Sequence, residues 1–259
     1  MTLHYKSTGS GEPFIFQHGL GANLEQPQNL LDRLKGVQLI SADCPGHGKS
    51  PLSKNHSPSF NYYANEIIQL KDDLKIKKAI LGGISMGSGI ALNIALRHPE
   101  KVQALVLVRP AWLATPNPDN LLILKEAAKY IGTTEGASTF KQQVAYQKIA
   151  AQLPLAASSI MEVFASSQRE EIPTVLNALV ESCPFEQLEE LQQINIPCLI
   201  IANEDDPLHP FDMATTIHRY IPQSQLKKVV SRYVDNGQHK RMLHLIVQEF
   251  LNVIVPISH

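Results

Sequence analysis

The apolar run Ala79-Ile80-Leu81 leads directly into Gly83-Ile84-Ser85-Met86-Gly87, and a segment of helical character follows from Ser88 to His98. Few backbones satisfy that order. A serine between two glycines at a strand-to-helix junction fits a sharp turn that lifts its hydroxyl clear of the main chain, with the glycines leaving room for the turn. Gly82 and Gly89 extend the small-residue zone and would let the helix pack close to the strand. The start of that helix would also aim free N–H groups at any negative charge developing beside the serine. Ser85 is thereby the candidate nucleophile.

The flanking sequence repeats the alternation. Pro13 to Phe16 precedes an amphipathic stretch from Leu24 to Leu34, Val37 to Ile40 precedes Tyr62 to Leu74, and Leu105 to Val108 follows the junction. Strands alternating with helices imply an α/β chain with a doubly wound, mostly parallel sheet covered on both faces. Between about Trp112 and Glu190 the strands stop and Pro-punctuated helical segments take over. The alternation resumes with Pro197 to Ile201, a helix from about Phe211, a strand from Leu226 to Val230 and a last helix from about Met242 to Val253. The expected organisation is a core of residues 1–111 and 191–259 carrying an inserted α-helical cap, residues 112–190.

In such sheets ligands bind beyond the carboxyl ends of the strands. Ser85 has that position. So does Asp206, in Asn203-Glu204-Asp205-Asp206-Pro207-Leu208-His209-Pro210, and so does His239, in Asp235-Asn236-Gly237-Gln238-His239. The order Ser, Asp, His suits a triad in which His239 takes the serine proton and Asp206 orients the imidazole. Asp205 and Glu204 are the rival acids. Among rival bases, His218 and His244 fall in expected helices, and His209 and His259 are the others. His18-Gly19-Leu20-Gly21, after an early strand, offers the backbone N–H of Leu20 as an oxyanion donor together with that of Met86.

Composition removes several classes. With 259 residues, 44% apolar and 18% charged, the chain buries a sizeable core, and a net charge of −1 gives no field for nucleic acid or anionic membrane. Neither is an expected partner. The first residues lack a basic segment followed by a long apolar run, and no run reaches membrane-span length, so a cytoplasmic location is expected. Cys44, Cys183 and Cys198 lack C-x-x-C spacing and read as reduced thiols. The ten histidines show no H-E-x-x-H spacing, and no metal or other cofactor is expected. The sequence carries no signal for oligomeric state.

These stretches, with Asp43-Cys44-Pro45-Gly46-His47-Gly48-Lys49-Ser50 and the Asp206 to Pro210 loop, resemble the α/β-hydrolase family over nearly the whole chain. The resemblance implies a bracing role for the Asp43 to Ser50 turn. It is strongest to small cap-bearing members: carboxylesterases, enol-lactonases, cofactor-free haloperoxidases and carbon–carbon bond hydrolases. Serine at the elbow argues against a haloalkane dehalogenase. Gln238 before the histidine, Asn203 in the acid loop, and Arg109 with Pro110 depart from the family pattern. The expected function is hydrolysis of a small, mainly apolar ester or lactone, with ligand sensing, or lyase, perhydrolase or carbon–carbon hydrolase chemistry, as the alternative. Arg109 and Trp112 are candidate pocket residues, and Leu113, Tyr130, Phe140, Tyr146 and Phe164 are further candidates from the cap.

Overall fold

The structure, a computed structural model, describes residues 3–165 and 170–255. His259, one of the rival bases, lies outside them, as do Met1 and Thr2. Each short apolar run becomes a strand whose successive side chains serve opposite faces. In chain order the elements are β1 (Tyr5–Gly9), β2 (Glu12–Gln17), α1 (Glu25–Leu30), β3 (Val37–Ala42), α2 (Phe60–Asp73), β4 (Ala79–Ile84), α3 (Met86–Arg97) and β5 (Val102–Val108). Next come α4 (Leu122–Ala128), α5 (Gly136–Lys141), α6 (Val144–Gln152), α7 (Pro154–Ile160) and α8 (Ile172–Val180). The chain then returns through β6 (Cys198–Ala202), α9 (Phe211–Tyr220), β7 (Ser224–Lys228) and α10 (Asn236–Ile254).

The seven strands lie in the order β1-β3-β2-β4-β5-β6-β7. Only β1 is antiparallel, and it covers the edge of β3. This strand escaped the sequence reading because Tyr5-Lys6-Ser7-Thr8-Gly9 is exposed throughout and has no apolar face. The interior strands pack on both sides. Ile15, Leu81, Leu105 and Ile200 join a core with α2, α3 and α9, whereas Phe14, Phe16, Ile80 and Val106 join a second core with Leu243 and Val247 of α10.

Between β5 and β6 the described residues contain helices and no strand. Apolar side chains of this insertion, among them Phe140, Val175, Leu176 and Leu179, belong to the same buried cluster as the α2–α3 face of the sheet. No described helix is long and apolar enough to cross a membrane.

One boundary differs in a way that matters. The last helix begins at Asn236, not near Met242, because Asp235 caps it by accepting the backbone N–H of Gln238 at 2.8 Å. His239 therefore lies in the first turn of α10, not in a free loop.

Candidate active site

The serine turn forms as its glycines demand. Ser85 has φ 56° and ψ −110°, an uncommon conformation for a residue with a side chain. A Cβ on Gly83 would collide with the backbone of Gly87, and one on Gly87 would strike the Gln17 carbonyl. Gly89 has a different purpose from the one expected: it accommodates the Phe60 ring of α2 rather than the strand. The Ser85 N–H donates to the Val108 carbonyl at 2.9 Å, and the Ser88 hydroxyl donates to Gly83 O at 2.8 Å, tying the turn to β4 and β5.

Opposite Ser85, the loop after β2 is held by two buried histidines. His18 donates Nδ1–H to Gly19 O at 2.8 Å and accepts the Cys44 N–H on Nε2 at 3.0 Å. His47 accepts the Gly21 N–H on Nε2 at 3.1 Å, its Nδ1 facing Pro45 O. Burial lowers the pKa of both, His47 to about 3, so both are neutral and each keeps one tautomer. Asp43 extends the brace, accepting the N–H groups of Leu24 at 2.8 Å and Lys49 at 2.9 Å. Leu20 lies between the two clamped glycines. Among the described residues neither Leu20 nor Met86 gives its N–H to a protein acceptor.

The acid behaves differently from the sequence expectation. Asp206 is buried, and its Oδ1 accepts from His209 Nδ1 at 2.9 Å and from Leu208 N at 3.2 Å. Its Oδ2 stands 3.5 Å from Arg109 Nη1. Burial works against the charge, but His209, Arg109 and Arg232 outweigh it and hold the carboxyl below its ordinary range. His239 is not its partner: the Nδ1–H of His239 donates to Val230 O at 2.7 Å. Burial, with Arg109 and Arg232 nearby, lowers the His239 pKa to about 4 against the pull of the Val230 carbonyl. Burial also lowers that of His209, and its bond to Asp206 opposes the shift.

A cavity of about 80 Å³ collects Ser85, Leu20, Arg109, His209 and Arg232. His239 instead lines a neighbouring cavity with Ile84, Arg109 and Arg232. Among the described residues none of the candidate aromatics lines this cavity. Trp112 is buried, donates Nε1–H to Leu179 O at 3.1 Å and packs edge-on to Phe60, so it is a core residue. Phe140 centres a cluster with Tyr130, Tyr146 and Phe164, and neither they nor Leu113 line the cavity. Its apolar wall is aliphatic, from residues such as Leu121, Leu124, Ile160 and Val163.

Two contributors were missed or set aside in the sequence. His209 had a local signal, three residues after the acid in one short turn. Arg232 had none, because only the packing of the β7–α10 turn brings it to the strand ends.

The family model described as alpha/beta hydrolase fold matches residues 12–233, most of the chain. The chain belongs to the alpha/beta hydrolase family. The matched span of this alpha/beta hydrolase includes Ser85 and Asp206 and ends before His239. Lipase 1 of Psychrobacter immobilis is 27% identical over 226 residues, covering 84% of this chain and 69% of that one. A match of 35% identity to a protein of Mycobacterium phage D29 spans 40% of this chain and 38% of that relative. Among solved structures, an esterase from Thermogutta terrifontis superposes with a TM-score of 0.78 at 19% identity, covering 98% of this chain and 94% of that one, a likeness of fold.

Proposed function

We propose that this alpha/beta hydrolase cleaves a small carboxylic ester or lactone through an acyl-enzyme on Ser85. The observation that carries the reading is the strained Ser85 turn, φ 56°, opening on a cavity beside two unengaged N–H groups. Strain of this kind persists where the surrounding structure holds it for a purpose. Ser85 Oγ attacks the carbonyl carbon, a histidine accepts its proton, and the N–H groups of Leu20 and Met86 stabilise the oxyanion. The same histidine returns the proton to the departing alkoxide, and water then releases the acid by the reverse sequence. The helical insertion acts as the cap that bounds the substrate.

The base we favour is His209. Its Nδ1–H is held by ionised Asp206, which leaves Nε2 as the acceptor, and it shares the cavity with Ser85. His239 is the alternative from chain order, and its bond to Val230 O likewise leaves Nε2 free. A covalent phosphonate on Ser85 tests the nucleophile directly. Ser85→Ala should abolish labelling and lower ester turnover by on the order of 10⁴-fold with folding intact. More than a tenth of the activity remaining would remove Ser85 from the reaction.

A second reading follows from the Asp206–His209 and His239–Val230 pairings, which leave the expected triad incomplete. The protein would then bind a small ligand without turning it over. A panel of activated esters separates the two: turnover that is lost with Ser85→Ala supports the enzyme, and saturable binding with negligible turnover supports the binder.

A further inference from the structure

Two guanidinium groups share the cavity with Ser85, and they are poorly compensated. The Arg109 side chain is 5% exposed, yet its Nε and Nη1 have no hydrogen-bond partner, and the Nε of Arg232 is likewise buried and unpartnered. Arg109 sits at the carboxyl end of β5 with φ 48°, and its N–H donates to Ile201 O at 2.7 Å. The left-handed backbone at a bulky residue is uncommon. Arg232 is steadied by its Nη2–H bond to the Tyr233 hydroxyl at 2.7 Å, with Tyr233 in turn 2.9 Å from the Ser159 hydroxyl.

The buried donors are not matched by acceptors. Among the described residues Asp206 is the one buried carboxylate beside these cations, and its Oδ1 is already engaged by His209 and Leu208. Glu162, which also lines the cavity, is exposed. Burial and the neighbouring Arg232 both weigh on Arg109, lowering its pKa to about 10 despite Asp206, so it stays charged at neutral pH. Arg109 and the half-buried Arg232 together leave three buried guanidinium nitrogens, Arg109 Nε and Nη1 and Arg232 Nε, without a hydrogen-bond acceptor. Buried donors without an acceptor are costly, and a bound anion would relieve that cost.

We propose that the substrate carries a carboxylate, received by Arg109 and Arg232, in addition to the ester or lactone carbonyl presented to Ser85. This rests on the hydrolase reading of the same site. A carboxylate suits the site because its two oxygens match the planar fork of arginine and can accept from the unpartnered guanidinium nitrogens. Ser85, Arg109 and Arg232 line one cavity, so the carboxylate lies a short chain away from the carbonyl under attack.

The test compares p-nitrophenyl butyrate with the p-nitrophenyl monoester of succinate, which differ by a terminal carboxylate. The wild-type protein should favour the succinate ester by about tenfold or more in kcat/KM, expressed mainly in KM. Arg232→Gln should bring that ratio towards one. Arg109→Gln should do the same, and Arg232→Gln keeps the test valid if loss of the Asp206 partner prevents Arg109→Gln from folding. Equal turnover of the two esters, or a preference that survives in Arg232→Gln, overturns the proposal while leaving the hydrolase reading intact. A stronger preference for a phosphate-bearing ester also overturns it. If neither ester is hydrolysed, succinate alone is titrated. A rise in melting temperature that Arg232→Gln abolishes keeps the anion site and rejects the hydrolase reading, and no rise rejects both.

Discussion

At the scale of single residues, the neighbours of Asp206 and Asp205 predict opposite sensitivities. Asp206 is buried between His209 and Arg109, whereas Asp205 is exposed with φ 55° and offers only its carbonyl, to the Ser231 hydroxyl. Asp206→Asn should lower kcat by about 10⁴-fold, as loss of the orienting charge in a triad does, and should lower stability by about 3–5 kcal/mol by leaving Arg109 without its buried counter-ion. Asp205→Asn should change stability by less than about 0.5 kcal/mol, since Asn tolerates a left-handed backbone and the side chain meets solvent. Steady-state kinetics and urea unfolding of the two variants would check this ranking, and the reverse order would move the acid to Asp205. The base is tested in parallel. His209→Gln should lower kcat by a factor of at least about 10³, and His239→Gln by far less, if His209 is the proton acceptor. Either histidine has a lowered pKa and must be neutral to accept a proton, so the acid limb of kcat/KM should lie below the ordinary histidine value of about 6.5. A limb at or above pH 6.5 would exclude both.

At the scale of elements, two local devices hold the site in shape. The first is the start of α10. Its signal is present in the sequence as Asp235-Asn236-Gly237-Gln238, an Asp with Gln three residues on. Asp235→Ala removes the bond to the Gln238 N–H and should cost about 1 kcal/mol, seen as a fall of a few degrees in melting temperature. No fall would mean that α10 is held at this end by packing alone. The second device is the histidine clamp on the loop after β2. Its sequence signature, His18-Gly19-Leu20-Gly21 with His47 in the following turn, was legible as a loop motif. The bond from Gly21 N–H to His47 Nε2 depends on both rings being buried side by side, with centroids 4.8 Å apart, and local pattern does not encode that.

At the scale of the whole molecule, His18, His47, His209 and His239 are all buried, with pKa values lowered chiefly by burial. In the unfolded chain they titrate near 6.5, so below that pH the unfolded state binds more protons than the folded one. Stability should therefore fall steadily as pH drops from about 6.5 towards the folded values, about 4 for His239 and about 3 for His47. Asp206, held below its ordinary range, adds loss only at still lower pH. Urea unfolding at pH 7, 6, 5 and 4 would show the slope, and a flat profile would mean that these rings are not buried as neutral groups. The sequence by itself determined the α/β alternation, the serine turn, the helical insertion and the loops that reach the strand ends. Each of these is written in contiguous residues through apolar periodicity, glycine sterics and turn chemistry. Only the tertiary structure decided which side chains meet. Asp206 engages His209 and Arg109, His239 turns to Val230, Arg232 joins the cavity, and the aromatics of the insertion pack together away from Ser85. Those pairings join residues far apart in the chain, and burial and charge balance in three dimensions select them among chemically equivalent candidates.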